Sequence, residues 1–93
     1  MVIISQDKTM ILNFEYIETI EIGNPLENND GKFKILCDTT SDNQYTIAEY
    51  EKEKRAKGVL QEIIKSYREY RTAVVDGYTN VLEETAVYEM PER

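Results

Sequence analysis

The chain has 93 residues, a net charge of −7, no histidine and one cysteine. A chain of this length folds around one small core, so we expect residues 1–93 to form a single domain of modest stability. This composition argues against a zinc site and a histidine-dependent catalytic triad, and the acidic balance argues against general nucleic-acid binding.

The composition also bears on where the protein works. The first eight residues lack the basic and apolar regions of a secretory signal. No apolar run approaches the roughly 18–20 residues that a membrane-spanning helix requires. We therefore expect a cytoplasmic protein without a membrane segment. Because no glycine-rich phosphate loop is present, we also expect no bound cofactor.

Five segments in the first half of the chain have the β-branched or alternating pattern that is typical of strands. They are residues 2–5, 10–14, 16–22, 32–38 and 44–50. The third segment also carries glutamates three residues apart, which predicts a strand with a bulge near Glu18. Residues 23–31 are rich in glycine, asparagine and proline and predict a turn. Residues 39–43 predict the loop of a hairpin.

One amphipathic helix is predicted over residues 51–73. Its apolar residues recur at i, i+3, i+4 and i+7, which places them on one stripe. The stripe consists of Ala56, Val59, Leu60, Ile63, Ile64, Tyr67 and Tyr70. Gly58 inside the helix indicates either a close backbone approach or a tolerated glycine on the exposed face. Residues 86–90, before Pro91, predict a final strand.

These elements predict an α+β fold, in which an antiparallel β-sheet of five or six strands has one long amphipathic helix packed on one face. Strands take residues 1–50, the helix takes 51–73, and a connection with a C-terminal strand takes 74–93. Cys37 shares a strand face with Phe33 and Ile35, so we expect its thiol to lie in the core.

The charges are divided unevenly along the chain. Residues 51–73 carry seven basic and four acidic side chains, whereas the remainder carries four basic and fourteen acidic ones. The predicted helix is therefore a basic element on an acidic body. Either surface could meet a partner of opposite charge.

Aromatic and basic side chains cluster towards the end of the predicted helix. The cluster consists of Tyr67, Arg68, Tyr70 and Arg71, followed in sequence by Tyr78. Tyrosine rings can stack on a nucleotide base, and guanidinium groups bind phosphate in a bidentate manner. These five residues are our candidate ligand-binding residues. The same residue types also suit a protein interface, and together with the small core they predict a homodimer or a higher homo-oligomer.

Catalysis and metal binding are not indicated. The carboxylates fall in solvated turns or at alternating strand positions, where a negative surface is the ordinary outcome. The acidic turns do not match the ligand spacing of a calcium loop. We therefore expect a binding protein that is not an enzyme and holds no metal.

Short motifs occur at both ends of the chain and in the helix. They are Ile-Ile-Ser-Gln-Asp at 3–7, Asn-Phe at 13–14, Ala-Glu-Tyr at 48–50, Arg-Ala-Lys at 55–57, Val-Leu-Gln-Glu-Ile at 59–63 and Val-Tyr-Glu-Met-Pro at 87–91. In these motifs the chain resembles a large set of small phage and prophage proteins of Gram-positive bacteria. Those proteins open with Ile-Ser-Gln-Asp or Ile-Ser-Gln-Asn and close on an aromatic-containing strand before proline.

In size and build the chain is also similar to the Thoeris anti-defence sponges. Those proteins pair an N-terminal antiparallel sheet with C-terminal helical structure, assemble as dimers or larger oligomers, and sequester the cyclic ADP-ribose signal of the host. The resemblance implies a phage-encoded protein that sequesters a cyclic nucleotide-type immune signal in the cytoplasm of an infected cell. None of the sponges' binding residues is carried over individually.

An alternative function follows from the acidic body. Several phage inhibitors of nucleic-acid-binding nucleases present a negative surface to a basic groove. On this interpretation the chain is an acidic, anti-CRISPR-like inhibitor that blocks a host defence protein by direct contact. A concave pocket with arginine and tyrosine would favour the sponge, and a flat acidic face would favour the inhibitor.

Overall fold

The computed structural model describes residues 1–27, 30–76 and 86–93. Within them the chain forms six strands, one α-helix and two 3₁₀ turns. The strands are β1 (Val2–Ile4), β2 (Ile11–Asn13), β3 (Ile17–Ile22), β4 (Phe33–Thr39), β5 (Gln44–Tyr50) and β6 (Val87–Glu89); the helix is α1 (Glu53–Asp76), and the 3₁₀ turns are Phe14–Tyr16 and Pro25–Glu27. The predicted α+β class is confirmed.

The strands are divided between two three-stranded sheets rather than joined in one. The described residues give the orders β2-β1-β6 and β3-β4-β5. Strand neighbours are antiparallel except for β1 and β6, which run parallel with Ile3 opposite Tyr88. A parallel pair needs a long crossover connection, and here the whole chain between β1 and β6 supplies it.

Both predicted features of the second sheet are confirmed. The strands β4 and β5 form the hairpin, and the register of β3 on β4 shifts between Ile17 and Thr19, which places a bulge at Glu18. The bulge leaves Glu18 exposed while Ile17 and Ile20 both pack against the core. Cys37 is fully buried in β4, as its position beside Ile35 predicts.

A second bulge lies in β5, where the sequence pattern gave no signal. The register of β5 on β4 shifts between Ile35 and Leu36, which face Ala48 and Thr46, so Ile47 is the additional residue. Because of this bulge Ile47 and Ala48 are both buried, although they are consecutive. Alternation would have placed one of them on the outer face.

The helix α1 packs across β3, β4 and β5. It begins two residues later and ends three residues later than predicted. Its central apolar residues Ala56, Val59 and Ile63 are at most 3% exposed, whereas Ile64 at the edge of the stripe is 43% exposed. None of the helices in the described part of the chain has the length and apolar character that crossing a bilayer requires.

Gly58 faces open space. A Cβ atom built on this residue would meet nothing within 4 Å, apart from the helix's own nearby backbone. The structure therefore favours the second of the two interpretations of Gly58, a glycine tolerated away from any close backbone contact within the chain.

Ile63 provides the test of the core. We expect Ile63→Ala to lower the free energy of unfolding by about 2–5 kcal/mol, because it removes buried methyl groups and leaves a cavity under α1. Gln61→Ala, an exposed position on the same helix, is the matched control. Urea denaturation of both variants measures the effect, and equal midpoints for the two would contradict this packing of α1.

Candidate functional site

The described residues form at least two concave surfaces. The first, which we call the polar cleft, has a volume of about 600 Å³ and lies where β5 leads into α1 beside the C-terminal segment. It is lined by Gln6, Lys32, Glu49, Tyr50, Glu51, Lys52, Arg55, Glu92 and Arg93. The second, which we call the apolar groove, has a volume of about 370 Å³ and lies between β3 and α1.

Gln6 builds one side of the polar cleft and joins three parts of the chain. Its backbone N–H donates to the carbonyl of Ile47 at 2.8 Å, the residue that bulges from β5. Its side-chain Oε1 accepts from the Glu49 N–H at 2.9 Å, and its Nε2 lies 3.0–3.1 Å from the carbonyl oxygens of Glu49, Pro91 and Glu92. One carboxamide thus connects the end of β1 to β5 and to the C-terminal segment.

The neighbours of Gln6 fix the turn that presents it. The Asp7 carboxylate oxygen Oδ1 accepts from the Ser5 hydroxyl at 2.8 Å, the Thr9 hydroxyl at 2.7 Å and the Thr9 N–H at 3.1 Å. These bonds, of which that from the Thr9 hydroxyl is the strongest, lower the pKa of Asp7. Lys8 completes the turn with a φ of 61°. The Ile-Ser-Gln-Asp motif therefore has a structural role in this chain.

A network of four side chains runs from the polar cleft along α1. Arg55, Glu62 and Tyr88 are joined by hydrogen bonds, and Tyr50 contacts Arg55 through its ring. The Arg55 guanidinium lies 5.8 Å from the centre of the Tyr50 ring, and its Nη1 bonds the Glu62 carboxylate at 3.2 Å. The other Glu62 oxygen accepts from the Tyr88 hydroxyl at 2.8 Å. In addition, Arg55 Nε donates to the carbonyl of Arg93 at 2.8 Å, which holds the guanidinium at the cleft.

Tyr50 and Tyr88 both have raised pKa values. Burial raises the pKa of Tyr50 to about 12, and the Tyr50 hydroxyl donates to the carbonyl of Pro91 at 2.7 Å. Burial also raises the pKa of Tyr88, with a further contribution from its hydrogen bond to the Glu62 carboxylate. Both hydroxyls are therefore hydrogen-bond donors at neutral pH.

The polar cleft is lined by more basic than acidic side chains, although the protein as a whole is acidic. It holds four of the eleven lysine and arginine side chains of the chain: Lys32, Lys52, Arg55 and Arg93. Of its three carboxylates, Glu49 lies 3.9 Å from Lys32 and 3.8 Å from Lys34 and is partly neutralised by them. The cleft thus combines cations with a buried tyrosine. The sequence analysis predicted a site of these residue types at the C-terminal end of the helix, whereas the cleft lies at its N-terminal end.

The predicted ligand residues at the end of α1 are divided between different surroundings. The Tyr67 ring stacks on Phe14 with 4.4 Å between ring centres, and Tyr70 packs, half-buried, against the core. Arg68 lines the apolar groove beside Tyr67, whereas Arg71 is exposed and does not line it. Neither the polar cleft nor the apolar groove unites these four side chains. Tyr78 lies outside the described residues.

Cys37, the single cysteine of the chain, lines neither the polar cleft nor the apolar groove. Burial raises the pKa of the Cys37 thiol, so this cysteine stays protonated and packs as an apolar side chain. Among residues 1–27, 30–76 and 86–93, no three acidic, cysteine or histidine side chains lie close enough to hold a metal ion.

Comparisons with known proteins found no relative of this chain. It matches no protein-family model, no curated protein and no solved structure. The candidate sites are accordingly argued from the chain's own residues.

Sequence reasoning missed the polar cleft because its residues are far apart in the chain. Gln6, Glu49, Arg55 and Arg93 come together only through the β1–β6 pairing and the β5 bulge. A local signal did exist, since the motifs at 3–7, 48–50 and 55–57 supply four of the lining residues: Gln6, Glu49, Tyr50 and Arg55. Nothing in their spacing, however, indicated that they meet.

The role of Gln6 can be tested by an isosteric change. Gln6→Glu replaces the Nε2 donor by a second oxygen that faces three carbonyls, so we expect the free energy of unfolding at neutral pH to fall by about 1–3 kcal/mol. Gln61→Glu, the same chemical change on the exposed face of α1, is the control. If chemical denaturation shows the same small shift for both variants, Gln6 does not hold the sheets together.

The buried tyrosines predict an alkaline loss of stability. Their pKa values are higher in the folded protein than the value of about 10 in the unfolded chain, so their contribution is complete below pH 10 and is lost as the pH rises from about 10 to 12. We expect Tyr50→Phe to flatten this decline in urea titrations at increasing pH. Tyr16→Phe, at a position 61% exposed, should leave the decline unchanged; an unchanged decline in Tyr50→Phe would contradict the assignment.

Proposed function

We propose that the protein is a binding protein without catalytic activity, which sequesters an anionic nucleotide in the polar cleft. The observation that carries this proposal is the concentration of four cationic side chains around one cleft in a protein of net charge −7. In an acidic protein such a cluster provides a local site for a negatively charged ligand. The resemblance to the Thoeris anti-defence sponges suggests a cyclic ADP-ribose isomer as the ligand and the cytoplasm of an infected cell as the location.

The cleft has dimensions that suit a nucleotide. Its volume of about 600 Å³ falls within the range of roughly 300–1,000 Å³ that is usual for small-molecule sites. Lys52 is exposed at its rim and forms no ion pair with a described residue. Arg55 is held by Glu62 and by the Arg93 carbonyl, while its Nη2 has no described partner. A fixed guanidinium with free donors binds phosphate at a low entropic cost.

The end of α1 remains a competing location for the same ligand. Arg68 and Arg71 are exposed and form no ion pair with a described residue, so both could contact phosphate. Tyr67 is already stacked on Phe14, which leaves less of its ring for a base. We therefore place the site in the polar cleft and treat the end of α1 as the alternative to be tested.

Titration calorimetry with cyclic ADP-ribose isomers and cyclic oligonucleotides tests this proposal. We expect Lys52→Glu to weaken binding at least tenfold, because it replaces a charge-assisted contact, worth about 1.5–3 kcal/mol, with repulsion. Arg71→Glu, the same reversal of charge at an exposed position near the other end of α1, should leave the affinity within about twofold, since it lies outside the cleft.

Each other outcome has a distinct meaning. A loss of affinity in Arg71→Glu but not in Lys52→Glu would move the site to the end of α1. If wild-type protein that is shown to be folded and free of ligand gives no heat with any of these nucleotides, the proposal that the protein sequesters a nucleotide is contradicted.

The acidic inhibitor is our second candidate, and one observation favours it. Glu15, Glu18 and Glu21 are all exposed along and just before β3 and form no ion pair with a described residue. Carboxylates that are not neutralised within the chain can meet a basic groove on a host defence protein. Because an inhibitor of this kind needs no nucleotide, the calorimetry separates the two candidates.

A further inference from the structure

The apolar groove between β3 and α1 exposes hydrophobic surface that no other described residue covers. Its lining is mostly apolar and includes Phe14, Ile17, Ile20 and Ile64. Ile64 is 43% exposed although it belongs to the apolar stripe of the helix. An apolar groove bordered by charged groups has the residue types that a protein partner can cover.

The two walls of the apolar groove carry opposite charges. Glu18, in the bulge of β3, lines one wall, and Arg68 of α1 lines the other. Both side chains are exposed, and neither forms an ion pair with a described residue. The groove therefore has one acidic wall and one basic wall, and both charges are available to a partner.

The helix wall extends beyond the groove as a stripe. Ile64, Arg68, Arg71 and Val75 recur at i, i+4, i+7 and i+11, which places them on one side of α1. Val75 is 76% exposed. This side of the helix thus carries two exposed cationic side chains between two exposed aliphatic ones.

The strand wall has the opposite character. Among the described strands β3 pairs with β4 alone, so its other edge has no strand neighbour there. Glu15, Glu18 and Glu21 are exposed along or just before this strand. Two copies that met strand to strand would bring these carboxylates together, and acidic residues at a sheet edge disfavour such a pairing. The acidic wall requires a basic partner instead.

We infer that a second copy of this chain covers the apolar groove through a two-fold interface. In a two-fold dimer each contact between residues i and j is repeated as a contact between j and i. A two-fold axis that runs along the length of the groove places the Glu18 wall of each copy against the Arg68 wall of the other. The apolar residues between the walls become buried, and the two charge pairs fix the orientation.

This inference does not depend on the proposed ligand. No residue lines both the apolar groove and the polar cleft. The dimer leaves the polar cleft open, so a failure of nucleotide binding and a failure of dimerisation are separate outcomes.

Charge reversal tests the two-fold geometry by sedimentation equilibrium at micromolar concentration. We expect wild-type protein to sediment at twice the 10.9 kDa chain mass. Glu18→Arg and Arg68→Glu should each be monomeric, because each places like charges at both repeated contacts. The double variant should dimerise again.

An equimolar mixture of the two single variants gives the sharpest result. One copy then presents arginine at positions 18 and 68 and the other presents glutamate at both, so each contact regains opposite charges and a heterodimer forms. This rescue also shows that both single variants are folded. Glu69→Arg and Lys54→Glu, which are exposed and do not line the groove, are controls that should keep the dimer.

Three results would overturn the inference. They are a wild-type protein that is monomeric throughout the concentration range, a dimer that neither single reversal weakens, and single variants that are monomeric but are rescued neither by mixing nor in the double variant. The last result would mean that Glu18 and Arg68 do not face each other across a two-fold axis.

Discussion

The carboxamide of Gln6 is the contact on which the arrangement of this molecule depends. Each of the two sheets has three strands, and neither could bury its apolar face alone. Gln6 follows β1 of the first sheet, donates to the bulged Ile47 of the second, and binds backbone groups of the C-terminal segment. The backbone N–H and the carboxamide of Gln6 thus join the first sheet to β5 and to the C-terminal segment, and both sheets contribute to one core.

The parts of the fold that could be predicted are those that local patterns of apolar and polar residues determine. The β4–β5 hairpin follows from alternating apolar residues on both sides of a polar turn. The bulge at Glu18 follows from glutamates that recur three residues apart near β3. The helix α1 follows from apolar residues with a 3.6-residue period. The division into two sheets could not be predicted, because it depends on pairing between Ile3 and Tyr88 across almost the whole chain. No local propensity encodes a partner at that distance.

The candidate sites illustrate the same limit. The aromatic and basic cluster of α1 was visible in the sequence, but helical geometry turns Tyr67 towards Phe14 and leaves Arg71 in solvent. The polar cleft was not visible, because its cations come from the turn before β4, the start of α1 and the end of the chain. If the cleft holds an anion and the groove holds a second copy, one small domain uses separate surfaces for ligand and for assembly.

The parallel pairing of β1 with β6 also has a consequence for how the chain folds. The β4–β5 hairpin and α1 close short loops, so they can form early and provide a surface for the rest. The strands β1 and β2 also pair locally, but the first sheet is complete only when β6 reaches β1, a contact between the most distant strands of the chain. We therefore expect a transition state in which the second sheet and helix are structured and β6 is not yet paired, so that changes in β6 alter the unfolding rate more than the folding rate.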